Sequence, residues 1–164
     1  MRRPSLALGF ALALALPVCA AAQQDVERGA YLARIMDCGG CHTAGALAGQ
    51  PDPKLHLAGS TVGFHIPGLG VFYPPNLTPD RETGIGTWSA ADITRAMKQG
   101  LRPDGRELAP VMPWRSYAAL TDADAEALAS YLRSLAPVRH AVPPPTGEGH
   151  GAPAPYLTVV VPQR

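Results

Sequence analysis

The sequence predicts an all-α domain whose helices are joined by long loops. Two capping boxes, Ser89/Asp92 and Thr121/Asp124, each open an apolar stripe at helical spacing. A third stripe, Val26, Leu32 and Ile35, has Ala30, Tyr31 and Met36 near its edges. Between them, Thr43 to Pro75 shows no sustained helical or strand period. With 18 Pro and 17 Gly in 164 residues, long connections are expected.

The first element is a leader. Met1 to Pro4 is basic, Leu6 to Leu16 is apolar, and Ala20-Ala21-Ala22 follows. This pattern predicts a signal peptide over residues 1–22, an exported and periplasmic protein, and no transmembrane anchor, because the apolar run is too short to span a bilayer. Leu16-Pro17-Val18-Cys19 loosely resembles a lipoprotein box, but bulky Val18 stands where a small residue is expected. Lipidation at Cys19 is the lesser alternative. The mature chain then holds two cysteines, and 12 basic residues face 13 acidic ones. That balance gives no reason to expect a nucleic-acid partner.

The first helix is expected to begin near Asp25 as N-cap. Gly29 in its middle costs about 1 kcal/mol relative to Ala. Either another helix crosses there or the glycine is tolerated. The helix runs into Cys38-Gly39-Gly40-Cys41-His42. Two thiols three positions apart can add to the two vinyl groups of one haem, and the histidine after the second can supply the proximal nitrogen. Gly39 and Gly40 let the backbone lie close to a porphyrin edge. Three other readings compete. A thioredoxin-like dithiol needs a βαβ pattern, which is not seen. A zinc site needs a second close ligand pair, and none follows. A plain disulfide leaves His42 unexplained. A porphyrin would also supply core material that a chain with only 6% aromatic residues lacks. One motif means one haem.

Thr43 to Pro75 is expected to wrap the haem edge, with His56 and His65 as solvated loop residues and His65 the better rival for a distal ligand. A turn-rich segment, Tyr73 to Thr87, leads to Trp88. The next helix carries Ile93, Ala96 and Met97 on one face and stops at Gly100. Pro110-Val111-Met112-Pro113 is stiff, and a thioether on a stiff loop can be aimed at a fixed point. A helical turn over Tyr117 to Leu120 and a last helix with Ala125, Leu128, Leu132 and Leu135 follow, ended by Pro137. Residues 139–164 read as a Pro/Gly-rich tail with solvated His140 and His150. Its apolar run, Tyr156 to Val161, is expected to dock on its own domain.

With these residues laid out, the chain resembles class I c-type cytochromes. It is most similar to the cytochrome c subunits and domains of bacterial periplasmic dehydrogenases for alcohols, aldehydes and sugar acids. The similar stretches are Arg28 to Ala33, Asp37 to Thr43, Tyr73 to Asp80, Thr83 to Ser89 and Met112-Pro113-Trp114. The resemblance covers roughly residues 26–138, within a predicted domain of 23–138. It implies the small cytochrome c fold around one covalent haem c, with Cys38 and Cys41 as anchors and His42 and Met112 as axial iron ligands. It implies that the first and last helices cross, bringing Gly29 and Tyr31 near Leu128 to Leu132. It further implies that Leu77 touches the haem and that Asn76 or Trp88 bonds a propionate. Met97 and Met36 are poorer ligand candidates, the first as core and the second as too near the motif. The single predicted domain lacks the anchor of many such subunits, which favours a soluble shuttle or small accessory subunit.

The expected function is electron transfer, not catalysis. The donor would be a dehydrogenase, the acceptor an oxidase or another cytochrome, and the exit the haem edge near Cys38 and Cys41. The alternatives are a haem enzyme or gas sensor with an open distal site, or an interaction module tethered by its tail.

Overall fold

The computed structural model describes residues 16–162. The basic and most of the apolar part of the expected leader lie outside the described residues. The elements are α1 (Leu16–Ile35), α2 (Cys38–His42), β1 (Gly63–Ile66), β2 (Gly70–Phe72), α3 (Ala90–Gln99), α4 (Trp114–Tyr117), α5 (Asp122–Ser134) and β3 (Tyr156–Leu157). Single 3₁₀ turns at Ala46–Ala48 and Pro53–Leu55 interrupt the long loop.

Helix α1 starts well before Asp25, which lies inside it. Ala20 to Gln24 are good helix formers, so nothing stops the helix at Asp25. Its inward stripe is Gly29, Leu32 and Ala33, continued by Met36 just past its end, whereas Ile35 is 59% exposed. The expected place of Ile35 on the apolar face is corrected, since the buried face passes through Leu32 and Ala33 and misses Ile35. Gly29 meets α5 directly. A Cβ there would run into the Ala127 carbonyl oxygen and stand 2.6 Å from Tyr131 Cβ. The helix crossing, not tolerance, explains the glycine. Arg28 Nε donates to Asp124 Oδ1 at 2.8 Å across the same crossing.

The Ser89/Asp92 capping box closes on both sides, and Thr121 supplies one half of the other. Ser89 Oγ accepts from the Asp92 N–H at 3.1 Å, and the Asp92 carboxylate accepts from the Ser89 N–H at 3.0 Å. Thr121 Oγ1 accepts from the Asp124 N–H at 3.1 Å. Ile93, Ala96 and Met97 are buried on α3, and Ala125, Leu128, Ala129 and Leu132 on α5. The helical turn before α5 falls at Trp114–Tyr117, earlier than expected. The Trp114 N–H bonds the Met112 carbonyl, so the chain turns as soon as Pro113 is passed.

The all-α expectation needs one correction, because a three-stranded sheet of order β2-β1-β3 is present. β1 pairs antiparallel with β2, Phe64 facing Phe72, and parallel with β3, Gly63 facing Tyr156 and Phe64 facing Leu157. The tail therefore docks on its own domain, as expected, but only through its first residues. Val159, Val160 and Val161 are 85%, 78% and 79% exposed.

Candidate haem site

Helix α1 delivers the motif to the core. Asp37 takes a left-handed conformation, φ 54°, which a short polar side chain tolerates, and it breaks α1 from α2. Its carboxylate folds over Gly40, where a Cβ would stand 2.6 Å from Asp37 Cγ. Cys38 is buried and Cys41 half-buried, and both are free thiols. Burial pushes the Cys38 thiol up to about 11, and burial with the Asp37 carboxylate raises Cys41 as well.

His42 is 6% exposed. Its Nδ1 lies 2.8 Å from the Pro75 carbonyl oxygen. A carbonyl only accepts, so Nδ1 carries the hydrogen and Nε2 keeps its lone pair. Desolvation lowers the pKa of this ring, partly opposed by the Pro75 bond. A neutral imidazole with a fixed tautomer is the form that binds a metal.

The segment supplying Pro75 is itself pinned. Asn76 is buried, and its amide donates to Thr83 Oγ1 at 3.1 Å and to the Val138 carbonyl at 2.7 Å. Its Oδ1 accepts from the Thr78 N–H and hydroxyl, both at 2.8 Å. Every hydrogen-bonding capacity of the Asn76 side chain is spent, so of the two side chains expected to bond a propionate, Asn76 or Trp88, this one is engaged within the protein. Leu57, buried at φ 56°, donates its N–H to Thr43 Oγ1 and accepts from the Leu77 N–H.

One apolar cluster gathers Cys38, Leu32, Leu57, Ile85, Ile93, Met97, Leu128 and Leu132, with Met112, Leu77, Trp88 and Tyr117 half-buried against it. The sequence-predicted Cys38 and Met112 thus share one core, and Met97 is part of that core, as expected. The other histidines go elsewhere. His65 holds Thr158 Oγ1 at 3.1 Å and Glu148 Oε2 at 3.3 Å, and lies beside Tyr156. Its two ring nitrogens serve the tail, not a distal site. His56 is exposed, 3.5 Å from the Tyr131 hydroxyl. His140 is not a solvated tail residue. It is half-buried, its Nδ1 donates to the Ala58 carbonyl at 2.8 Å, and its N–H bonds Thr83 Oγ1 at 3.0 Å. His150 is exposed, as expected.

Sequence reasoning missed Tyr117. Its hydroxyl donates to the Met36 carbonyl at 3.2 Å, and burial beside the thiols pushes the phenol up to about 12. An aromatic on a one-turn helix carries no periodic signal, so only the fold reveals it. Two unpaired thiols, a buried imidazole with a free Nε2 and a thioether on the same apolar cluster form a donor set that fits haem c.

Among the described residues no helix is long and apolar enough to cross a membrane. Residues 26–136 match the cytochrome c family. The chain is 42% identical over 118 residues to a nicotinate dehydrogenase subunit of Pseudomonas putida, covering 72% of this chain and 9% of that one. It is 41% identical over 115 residues to the cytochrome c subunit of the quinone alcohol dehydrogenase of Gluconobacter oxydans, covering 69% of this chain and 22% of that one. It is 41% identical over 117 residues to the gluconate 2-dehydrogenase cytochrome c subunit of Pantoea cypripedii, covering 71% of this chain and 24% of that one. The chain thus spans less than a quarter of each of these relatives. By its motif, its donor set and this match over most of its length, the chain belongs to the cytochrome c family, whose domain implies covalently bound haem c.

Proposed function

We propose that this chain is an exported, periplasmic one-haem electron carrier serving a dehydrogenase. Residues 1–22 are its leader, 23–138 its haem domain and 139–164 its tail. Cys38 and Cys41 would hold the haem covalently, and His42 Nε2 and Met112 Sδ would ligate its iron. The observation that carries the reading is the His42 imidazole, buried and fixed by the Pro75 carbonyl at 2.8 Å beside two free thiols. The names of the relatives as dehydrogenase subunits support the donor, and an oxidase or second cytochrome completes the path.

Bound haem supplies a one-electron iron couple. The residues set its character. His42 presents one lone pair in one orientation, because Nδ1–H is committed. Met112 presents a thioether, a ligand that favours Fe(II) and raises the potential. With both residues bound, the iron would have no place for a substrate, and the residues would confine the site to relaying charge. The bond to Pro75 would hold the His42 ring in one orientation in either oxidation state.

The test is the ferric spectrum of the purified holoprotein. A weak long-wavelength band that disappears in Met112→Ala is the expected result. High-spin ferric iron in the wild type, with rapid carbon monoxide binding on reduction, would replace this reading with an open-site haem enzyme or sensor.

A further inference from the structure

The family match stops at residue 136, so the tail lies outside it. Between Pro155 and Pro162 the tail reads Tyr156-Leu157-Thr158-Val159-Val160-Val161. Five of the six are aromatic or β-branched, none is charged, and no Gly or Pro interrupts them, which is the composition of a strand. The first two form β3, at the end of the order β2-β1-β3. Among the described residues β3 pairs with β1 alone, so its other side is open. Tyr156 and Leu157 are 45% and 48% exposed, and the three valines after them more than three-quarters. Edge strands are ordinarily blunted by a charge, an internal proline or a covering element, and this run carries none of them.

The backbone fixes which groups face outward. β3 is parallel to β1, with Gly63 opposite Tyr156, and the Gly63 N–H takes the Pro155 carbonyl at 2.9 Å. Alternate residues of a strand turn their N–H and C=O to opposite sides. Pro155 and Leu157 therefore serve β1, and Tyr156 turns its groups to the open side. Thr158 and Val160 do the same along the extended line. His65 Nδ1, 3.1 Å from Thr158 Oγ1, holds that line beyond β3.

We propose that this edge pairs with the same edge of a second copy of the chain, antiparallel, about a two-fold axis at Thr158. Outward-facing residues must meet each other, which sets Thr158 against the partner's Thr158 and Tyr156 against the partner's Val160. Threonine pairs and aromatic pairs with β-branched residues are favourable across strands. The run is its own complement. It has no charge, so the axis brings no like charges together. Two three-stranded sheets then join into one of six strands. So short an edge gives an interface at the small end of the range, so the dimer is weak and depends on concentration. None of residues 156–161 belongs to the cluster of Cys38 and Met112, so the pairing stands apart from the haem reading.

The test is sedimentation velocity of the holoprotein from about 1 µM to about 1 mM. The wild type is expected to pass from one chain to two across that series. Val160→Pro removes an outward N–H and is expected to weaken association at least about tenfold, with the ferric spectrum unchanged. Thr158→Cys reads the register. At the axis its two Cα atoms stand about 5.5 Å apart, within disulfide reach, so diamide is expected to link the chains. Val161→Cys, whose two copies lie at opposite ends of the pair, is expected to stay unlinked. A wild type that remains one chain throughout overturns the proposal and leaves the edge to a strand of another protein. Dimers undiminished by Val160→Pro, or linked as readily through position 161 as through 158, overturn it as well.

Discussion

The imidazole of His42 is held from distant stretches of chain, whereas the backbone of Met112 is held by its own neighbours. The His42 carbonyl accepts from the Gly59 N–H at 2.8 Å, its ring bonds Pro75, and Thr43 next to it accepts from Leu57. The Met112 N–H bonds only the Ala109 carbonyl, and its carbonyl accepts from Trp114 two residues on. Val111 beside it is 43% exposed. One side of the site is therefore part of the core network. The other is a stiff local turn between Pro110 and Pro113, whose thioether packs against the same core. Damage on the first side spreads into the fold, and damage on the second stays local.

The widest separation is expected between His42→Ala and Met112→Ala. The histidine variant loses low-spin haem and unfolds at markedly lower denaturant. The methionine variant keeps a haem-staining band on a denaturing gel and a near-normal unfolding midpoint, changing only its spectrum and its carbon monoxide binding. Equal loss of stability in both would break the comparison. Next comes Asn76→Ala, which leaves the buried Thr78 N–H without its acceptor and takes a donor from Thr83 and from Val138. It is expected to cost about 1–3 kcal/mol by urea denaturation. Val111→Ala, on the exposed turn, is expected to stay within about 0.5 kcal/mol.

The smallest effect is acid sensitivity. Asp80 is held below its ordinary value of 3.8, first by the Thr83 N–H and then by the Thr83 hydroxyl. Its folded pKa is depressed, so its stabilisation is complete above the unfolded value and is lost as pH falls through the lowered one. Thermal unfolding followed down from pH 5 is expected to weaken progressively, and Asp80→Asn to flatten that dependence. Because Thr83 also receives Asn76 and His140, this loosening belongs to the histidine side.

What was legible in the sequence was what is local. Ser89/Asp92 and Thr121/Asp124 declare their helices because each cap and its stripe lie within a few residues. The cysteine and histidine spacing likewise announces its chemistry. The small sheet was hidden because β1 and β2 are four and three residues long, too short for alternation to stand out. Its third strand arrives from the far end of the chain. Asn76 and His140 were misread for the same reason, since their partners lie 62 and 82 residues away. Ile35 was misread because an apolar residue at a helix edge looks like core until the crossing partner fixes the phase.

The parallel pairing of β3 with β1 has a further result. The Gly63 N–H donates to the Pro155 carbonyl at 2.9 Å, the Val71 N–H to Thr146 at 2.9 Å, and the Tyr73 hydroxyl to Ala154 at 2.7 Å. Lifting residues 146–158 would strip these groups of their acceptors without touching a bond inside α1, α3 or α5. Amide hydrogen exchange at Gly63 and Val71 therefore follows the peeling of the tail, while Leu128 and Leu132 wait for global unfolding. The molecule has two clocks, and the faster one is set by residues 146–158.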